Sequence, residues 1–107
     1  MVAFTEDVLK RLENEDFGPS TLNGQSPLPI QHVRLFPGEE HDGIQDVRVV
    51  VVLDVSEDDG WEPAAGAELR HAVRQRVSEK LAEENPHALF FVTAQLQARE
   101  NSAADAT

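Results

Sequence analysis

Residues 46–55 contain the feature that most restricts how this chain folds, a run of aliphatic side chains alternating with a period of two. Successive side chains of a strand point to opposite faces. One face would carry Val47, Val49, Val51, Leu53 and Val55. The other would carry Arg48, Val50, Val52 and Asp54. Because this second face is apolar at its centre, we expect the strand to be covered on both sides, or its second face to meet a partner.

Two other segments have helical periodicity. Residues 4–16 place Phe4, Val8, Leu9 and Leu12 along one stripe of a 3.6-residue repeat. Residues 62–84 repeat an apolar side chain every four positions, at Ala65, Leu69, Val73, Val77 and Leu81. Pro63 is tolerated in a first helical turn, whereas Gly66 weakens this helix locally. The pattern predicts helices over 4–16 and 62–84.

Two further strands are predicted on either side of the long helix. Residues 30–36 alternate in part, and Pro37 and Gly38 should end that strand before a charged loop over 39–43. Residues 88–96 alternate throughout, with Leu89 and Phe91 opposite Phe90 in the pleat. The segment 18–29 holds three prolines and two glycines, which predicts a connector.

The length sets the number of domains. A chain of 107 residues buries one core. We predict one α+β domain over residues 1–98. We predict a disordered tail over 99–107, because that segment has no large apolar side chain.

The element order is helix, strand, strand, helix, strand, which predicts a two-layer sandwich with two helices on one face of a three-stranded sheet. Two strand orders remain open. The second strand can lie in the centre, or the first strand can lie there and give the ferredoxin-like, split βαβ variant. We favour the split layout, with the remaining apolar face used in self-association.

The element order is similar to that of two known groups. The segments 51–55 and 69–73 loosely resemble the cytoplasmic C-terminal domain of cation diffusion facilitators, which implies a dimeric, metal-responsive module. The Ala64-Ala65-Gly66 kink resembles one in ribosome-binding factor A, which implies RNA binding. Both similarities concern topology, and topology alone assigns no function.

The charge balance disfavours polyanionic partners. Twenty Asp and Glu oppose nine Lys and Arg, so the formal net charge is −11. Nucleic acids and anionic membrane surfaces normally bind a positive surface. Cysteine is absent, which excludes thiolate catalysis, disulfides and cysteine zinc sites. With no visible signal peptide and no long apolar run, we expect a cytoplasmic location and no membrane partner.

Candidate metal ligands are His41 and Asp42, with His32 nine residues earlier. The acidic segment 54–60 departs from the calcium-loop pattern in two places. Counted from Asp54, its glycine comes one position late, and the twelfth position is Ala65 rather than a glutamate. We find no nucleophile elbow and no phosphate-binding glycine pattern, and we predict no catalytic residue and no cofactor.

These observations favour a non-catalytic protein interaction or assembly module, forming a homodimer or binding another protein. The predicted interface residues are Val50, Val52, Leu89, Phe91 and Trp61. One alternative is a metal- or small-ligand-responsive regulatory domain. A second alternative is a small hydrolase that uses a carboxylate pair.

Overall fold

A computed structural model describes residues 3–17 and 27–99. Its elements are α1 (Glu6–Asp16), β1 (Ile30–His41), β2 (Ile44–Leu53), α2 (Pro63–Glu84) and β3 (Leu89–Ala98). The three strands form one mixed sheet, with β1 antiparallel and β3 parallel to β2. The predicted α+β class is therefore confirmed. Residues 100–107 of the predicted tail over 99–107, and residues 18–26 of the predicted connector over 18–29, lie outside the described residues.

The strand order differs from the favoured expectation. The order is β1-β2-β3, so β2 is central and the split layout with β1 in the middle is wrong. A two-residue turn joins β1 to β2 and makes them neighbours, which leaves the far edge of β2 for β3. This central place gives β2 a paired strand at each edge, whereas the face that carries Val50 and Val52 lies opposite the core.

The first helix begins as its sequence suggests. Thr5 is the N-cap, and its Oγ1 accepts a hydrogen bond from the Val8 amide at 3.3 Å. Phe4 and Leu9 occupy the N′ and N4 positions of a hydrophobic staple, and both are fully buried. The Phe4 ring also meets Phe90 edge to face at 5.3 Å, which ties the start of the chain to β3.

The first strand is longer than predicted, because Pro37 and Gly38 do not end it. Pairing with β2 continues to His41 through a bulge, in which the register shifts between Pro37 and Glu40. An edge strand tolerates proline, which cannot donate a ladder hydrogen bond. Gly38 is required there, since a Cβ at this position would lie 2.5 Å from the Asp46 carbonyl oxygen. The segment 39–43 is therefore strand and turn rather than a charged loop.

The core draws side chains from both helices and from one face of the sheet, which we call the core face. That face presents Val47, Val49, Val51 and Leu53 of β2, flanked by residues of β1 and β3. Leu69, Val73, Val77 and Leu81 of α2 belong to the same buried cluster, as do Leu9 and Leu12 of α1. An ion pair between Arg11 and Glu84 joins the two helices.

The long helix runs without a break from Pro63, which stands in its first turn. Gly66 does not interrupt the helix, and its role is steric. A Cβ on Gly66 would lie 2.8 Å from the Trp61 Nε1 and 3.2 Å from a methyl carbon of Leu96. The indole therefore packs over the bare backbone of the first helical turn.

Neither described helix combines the length and apolar character that crossing a bilayer would require.

Candidate interaction surface

The face of the sheet opposite the core face is the candidate functional surface, and we call it the reverse face. Its side chains follow from the strand register and the period of two. Across the three strands the rows read His32–Val52–Gln97, Arg34–Val50–Gln95, Phe36–Arg48–Thr93, Asp46–Phe91 and His41–Ile44–Leu89.

Exposed apolar side chains are concentrated on this face. Among the described residues, the large hydrophobic side chains that remain exposed are Phe36 (41%), Ile44 (40%), Leu89 (64%) and Phe91 (51%). All four belong to the reverse face. Ile44, Leu89 and Phe91 cluster where β2 and β3 begin, and Phe36 lies nearby on β1. Scattered exposed hydrophobic residues are ordinary, but a contiguous group on one face marks an interaction surface.

Charged groups on the reverse face flank this apolar cluster. Arg48 and Asp46 lie two residues apart on β2 and therefore point the same way. The Asp46 Oδ1 accepts a hydrogen bond from the Thr93 hydroxyl at 3.3 Å. Arg48 makes no ion pair or side-chain hydrogen bond within the described ranges. The face thus offers a fixed carboxylate and an unpaired guanidinium side by side.

A depression of about 780 Å³ lies on the reverse face. Phe36, Arg48 and Phe91 contribute to its lining, and Glu39, His41 and Asp46 add its titratable groups. Glu39 and Asp46 are the carboxylates of this lining. His41 lies 3.3 Å from Glu39, Nε2 to Oε2, and both side chains are more than three-quarters exposed.

The predicted interface residues separate into three groups. Leu89 and Phe91 are exposed on the reverse face, as an interface requires. Val50 is half-buried there, and Val52 is only 4% exposed although it lies outside the core cluster. Trp61 lies on the other side of the sheet, where it packs against the core and over Gly66.

The structure does not bring the predicted metal ligands together. His32 and His41 lie near opposite ends of β1, and nine residues at about 3.3 Å each separate them by roughly 30 Å. Asp42 is in the turn, where its backbone has a positive φ of 55°. Within residues 3–17 and 27–99, no three His, Asp or Glu side chains converge as metal ligands would.

Two exposed residues, Phe36 and Ile44, were not among the predicted interface positions. Phe36 shares its face with Arg34, so the alternation of β1 already contained this information. Ile44 was missed because the predicted strand began at residue 46, two positions after β2 starts.

Comparisons with protein-family models, with curated proteins and with solved structures found no match to this chain.

Proposed function

We propose that this protein is a cytoplasmic, non-catalytic assembly module that forms a homodimer through its reverse face. The observation that carries the proposal is the position of Phe36, Ile44, Leu89 and Phe91, all exposed on one face. Both described helices contribute to the core on the opposite face, so no element of residues 3–17 and 27–99 covers this surface, which supports its use by a partner.

The size of the reverse face fits a dimer interface. Three strands about 4.8 Å apart, ten residues long at about 3.3 Å per residue, cover about 500 Å² in projection. Side chains raise the accessible area above this projection, towards the ~800 Å² per partner that standard interfaces bury.

The apolar side chains supply a useful part of the association energy. A phenylalanine exposes about 200 Å², so the free parts of Phe36 and Phe91 amount to roughly 180 Å² per protomer. Burying both copies at ~25 cal/mol/Å² contributes about 9 kcal/mol. Association costs about 4–15 kcal/mol, so the remaining contacts decide the affinity.

The charges on β2 are arranged for self-recognition. In a two-fold symmetric contact, every pair of contacting residues occurs twice. If the first residue of a pair belongs to one protomer and the second to its partner, the same pair also forms with the protomers exchanged. With the two β2 strands antiparallel across the axis, Arg48 of each protomer can pair with Asp46 of the other. One strand therefore supplies both halves of the ion pair.

Sedimentation velocity on charged variants of the reverse face tests the proposal. Leu89→Asp and Phe91→Asp each place a carboxylate in the apolar cluster, and we expect the dimer to weaken at least about tenfold. Ala72→Asp, on the exposed side of α2, is the matched control and should change the affinity by less than about twofold. A wild-type chain that stays monomeric at several hundred micromolar would refute the proposal.

A charge swap tests the geometry. Arg48→Asp alone or Asp46→Arg alone puts like charges across the two-fold axis and should weaken the dimer. The double variant restores opposite charges and should recover most of the affinity. If the double variant is weaker than both single variants, the antiparallel arrangement is wrong.

A further inference from the structure

The two edges of the sheet differ in the hydrogen bonding of their outer backbone groups. At the β1 edge, α1 lies alongside, and the Leu35 amide donates a hydrogen bond to the Glu13 Oε2 at 3.0 Å. At the opposite edge, β3 pairs with β2 on one side. Within the described residues, no backbone group of Leu89–Ala98 is bonded on its outer side. An unpaired edge is a template for another strand.

Two depressions, of about 420 and 400 Å³, follow this free edge between β3 and α2. The helix contributes Arg70 to the first depression, and His71 and Arg74 to the second. Neither depression is lined by any Asp or Glu of the described residues. We call the two depressions together the β3 groove. The chain has twenty acidic residues, so a groove lined by arginines and by no carboxylate differs in local charge from the protein as a whole.

The two arginines have no partner among the described residues. Arg11 and Arg99 form ion pairs with Glu84 and Asp54, whereas Arg70 and Arg74 form no ion pair or hydrogen bond through their side chains. A free guanidinium presents a fork of donors that matches a carboxylate. The groove therefore offers two anion sites beside an open strand edge.

The spacing of these sites matches an extended chain. Arg70 and Arg74 are four residues apart on α2, which separates them by about 6 Å along the helix axis. Residues i and i+2 of a strand are about 6.6 Å apart and point to the same face. Carboxylates at alternate positions of a strand can therefore meet both arginines at once.

We propose that the outer edge of β3 binds an extended acidic segment of a partner protein. The segment adds to the sheet as a fourth strand, and alternate carboxylates bind Arg70 and Arg74. Main-chain pairing gives the affinity, and the arginines select the acidic side chains. The intervening side chains fall beside Phe91 on the reverse face, which favours apolar residues there.

A second copy of this chain is a poorer occupant. Pairing of two β3 edges about a two-fold axis brings the arginine-lined grooves of both copies to one boundary, where like charges repel. The occupant that fits the charge is an acidic strand from another protein.

Fluorescence anisotropy with a labelled Glu-Val-Glu-Val-Glu-Val peptide tests this inference. We expect saturable binding to the full chain, and at least about tenfold weaker binding of the analogue in which glutamine replaces each glutamate. The double variant Arg70→Gln/Arg74→Gln should lose at least about tenfold in affinity. Lys10→Glu, on the exposed surface of α1, changes the net charge by the same amount and should retain binding.

Hydrogen exchange locates the bound peptide. Amides of β3 should exchange more slowly in the complex, while those of β1 stay unchanged. Equal binding of the glutamine analogue, or protection confined to β1, would overturn the inference. So would tighter binding of an oligothymidylate than of the peptide, or an affinity that rises tenfold when residues 100–107 are deleted.

The inference is independent of the dimer. Phe36→Asp, on β1 and away from the β3 edge, should weaken the dimer at least about tenfold and leave peptide binding intact, and the arginine double variant should do the reverse. Each surface can therefore fail its test while the other passes.

Discussion

At the scale of single residues, Gln45 joins the sheet to the start of the chain. Its side chain is 1% exposed and stands on the core face of β2. The Gln45 Oε1 accepts a hydrogen bond from the Phe4 amide, and its Nε2 donates to the Phe4 carbonyl, both at 2.9 Å. One amide thus satisfies two buried backbone groups, which explains a polar residue in an apolar core.

Replacing this amide should cost stability. Gln45→Leu leaves the Phe4 amide and carbonyl buried without partners, at about 1–3 kcal/mol for each group. We expect the free energy of unfolding in urea to fall by about 2–6 kcal/mol. Gln31→Leu makes the same chemical change at an exposed position of β1 and should alter stability by less than about 0.5 kcal/mol. Equal losses in the two variants would contradict this role of Gln45.

At the scale of elements, the β1–β2 hairpin is set by two residues. Asp42 and Gly43 form the connection, with φ values of 55° and 81°. Positive φ at both central residues is the type I′ turn, whose twist matches that of paired strands. The Asp-Gly dipeptide is a strong hairpin signal, and it accounts for Asp42 without a metal.

The turn gives a second stability prediction. A Cβ at Gly43 meets no atom within 4 Å, so Gly43→Ala is opposed by backbone strain alone. We expect a loss of about 1–2 kcal/mol in the free energy of unfolding. Asp42→Asn should be nearly neutral, because asparagine tolerates the same conformation. If Asp42→Asn costs as much as Gly43→Ala, the loss arises from the carboxylate and the strain argument is wrong.

At the scale of the whole molecule, the two proposed binding surfaces carry arginines although the protein as a whole is acidic. The net charge is −11, yet Arg34 and Arg48 lie on the reverse face, and Arg70 and Arg74 lie along the β3 edge. Two protomers of −11 repel one another as they associate, and added salt screens this repulsion. An acidic peptide is instead attracted to the arginines, and salt screens that attraction.

The two proposed surfaces should therefore respond to salt in opposite directions. Between about 20 and 500 mM NaCl, we expect the dimer dissociation constant to fall and the peptide dissociation constant to rise. Choline chloride should act like NaCl, because screening depends on ionic strength. Sedimentation and anisotropy at matched ionic strengths measure both trends. A dimer that weakens with salt would show that cross-interface ion pairs outweigh the repulsion between protomers.

Local pattern was a good guide to the elements of this protein. The helix over 62–84 and the strand over 46–55 were located within two residues of their observed bounds. Both segments have long periodic runs of apolar residues. Burying one face of a helix or strand is favourable when apolar residues recur with the period of that element, which is the period that the sequence shows. The end of β1 was predicted wrongly, because Pro37 and Gly38 stop an isolated strand but are accommodated in a bulge on an edge strand.

The candidate surface was only partly accessible from sequence. Alternation alone placed Leu89 and Phe91 on the face opposite Phe90, and both are exposed there. It could not show that Val52 is nearly buried, nor that Trp61 packs over Gly66 on the other side. Those outcomes depend on neighbours that are distant along the chain.

The sequence by itself determined the class of the fold, the length of its helices and which side chains share a face, because each depends on the local period of apolar residues. Only the tertiary structure decided that β2 is central, that one edge is capped by Glu13 and that the other, within residues 3–17 and 27–99, has no paired strand beside Arg70 and Arg74. Strand order and edge exposure depend on contacts between segments far apart along the chain, and the periodicity of any one segment carries no information about them.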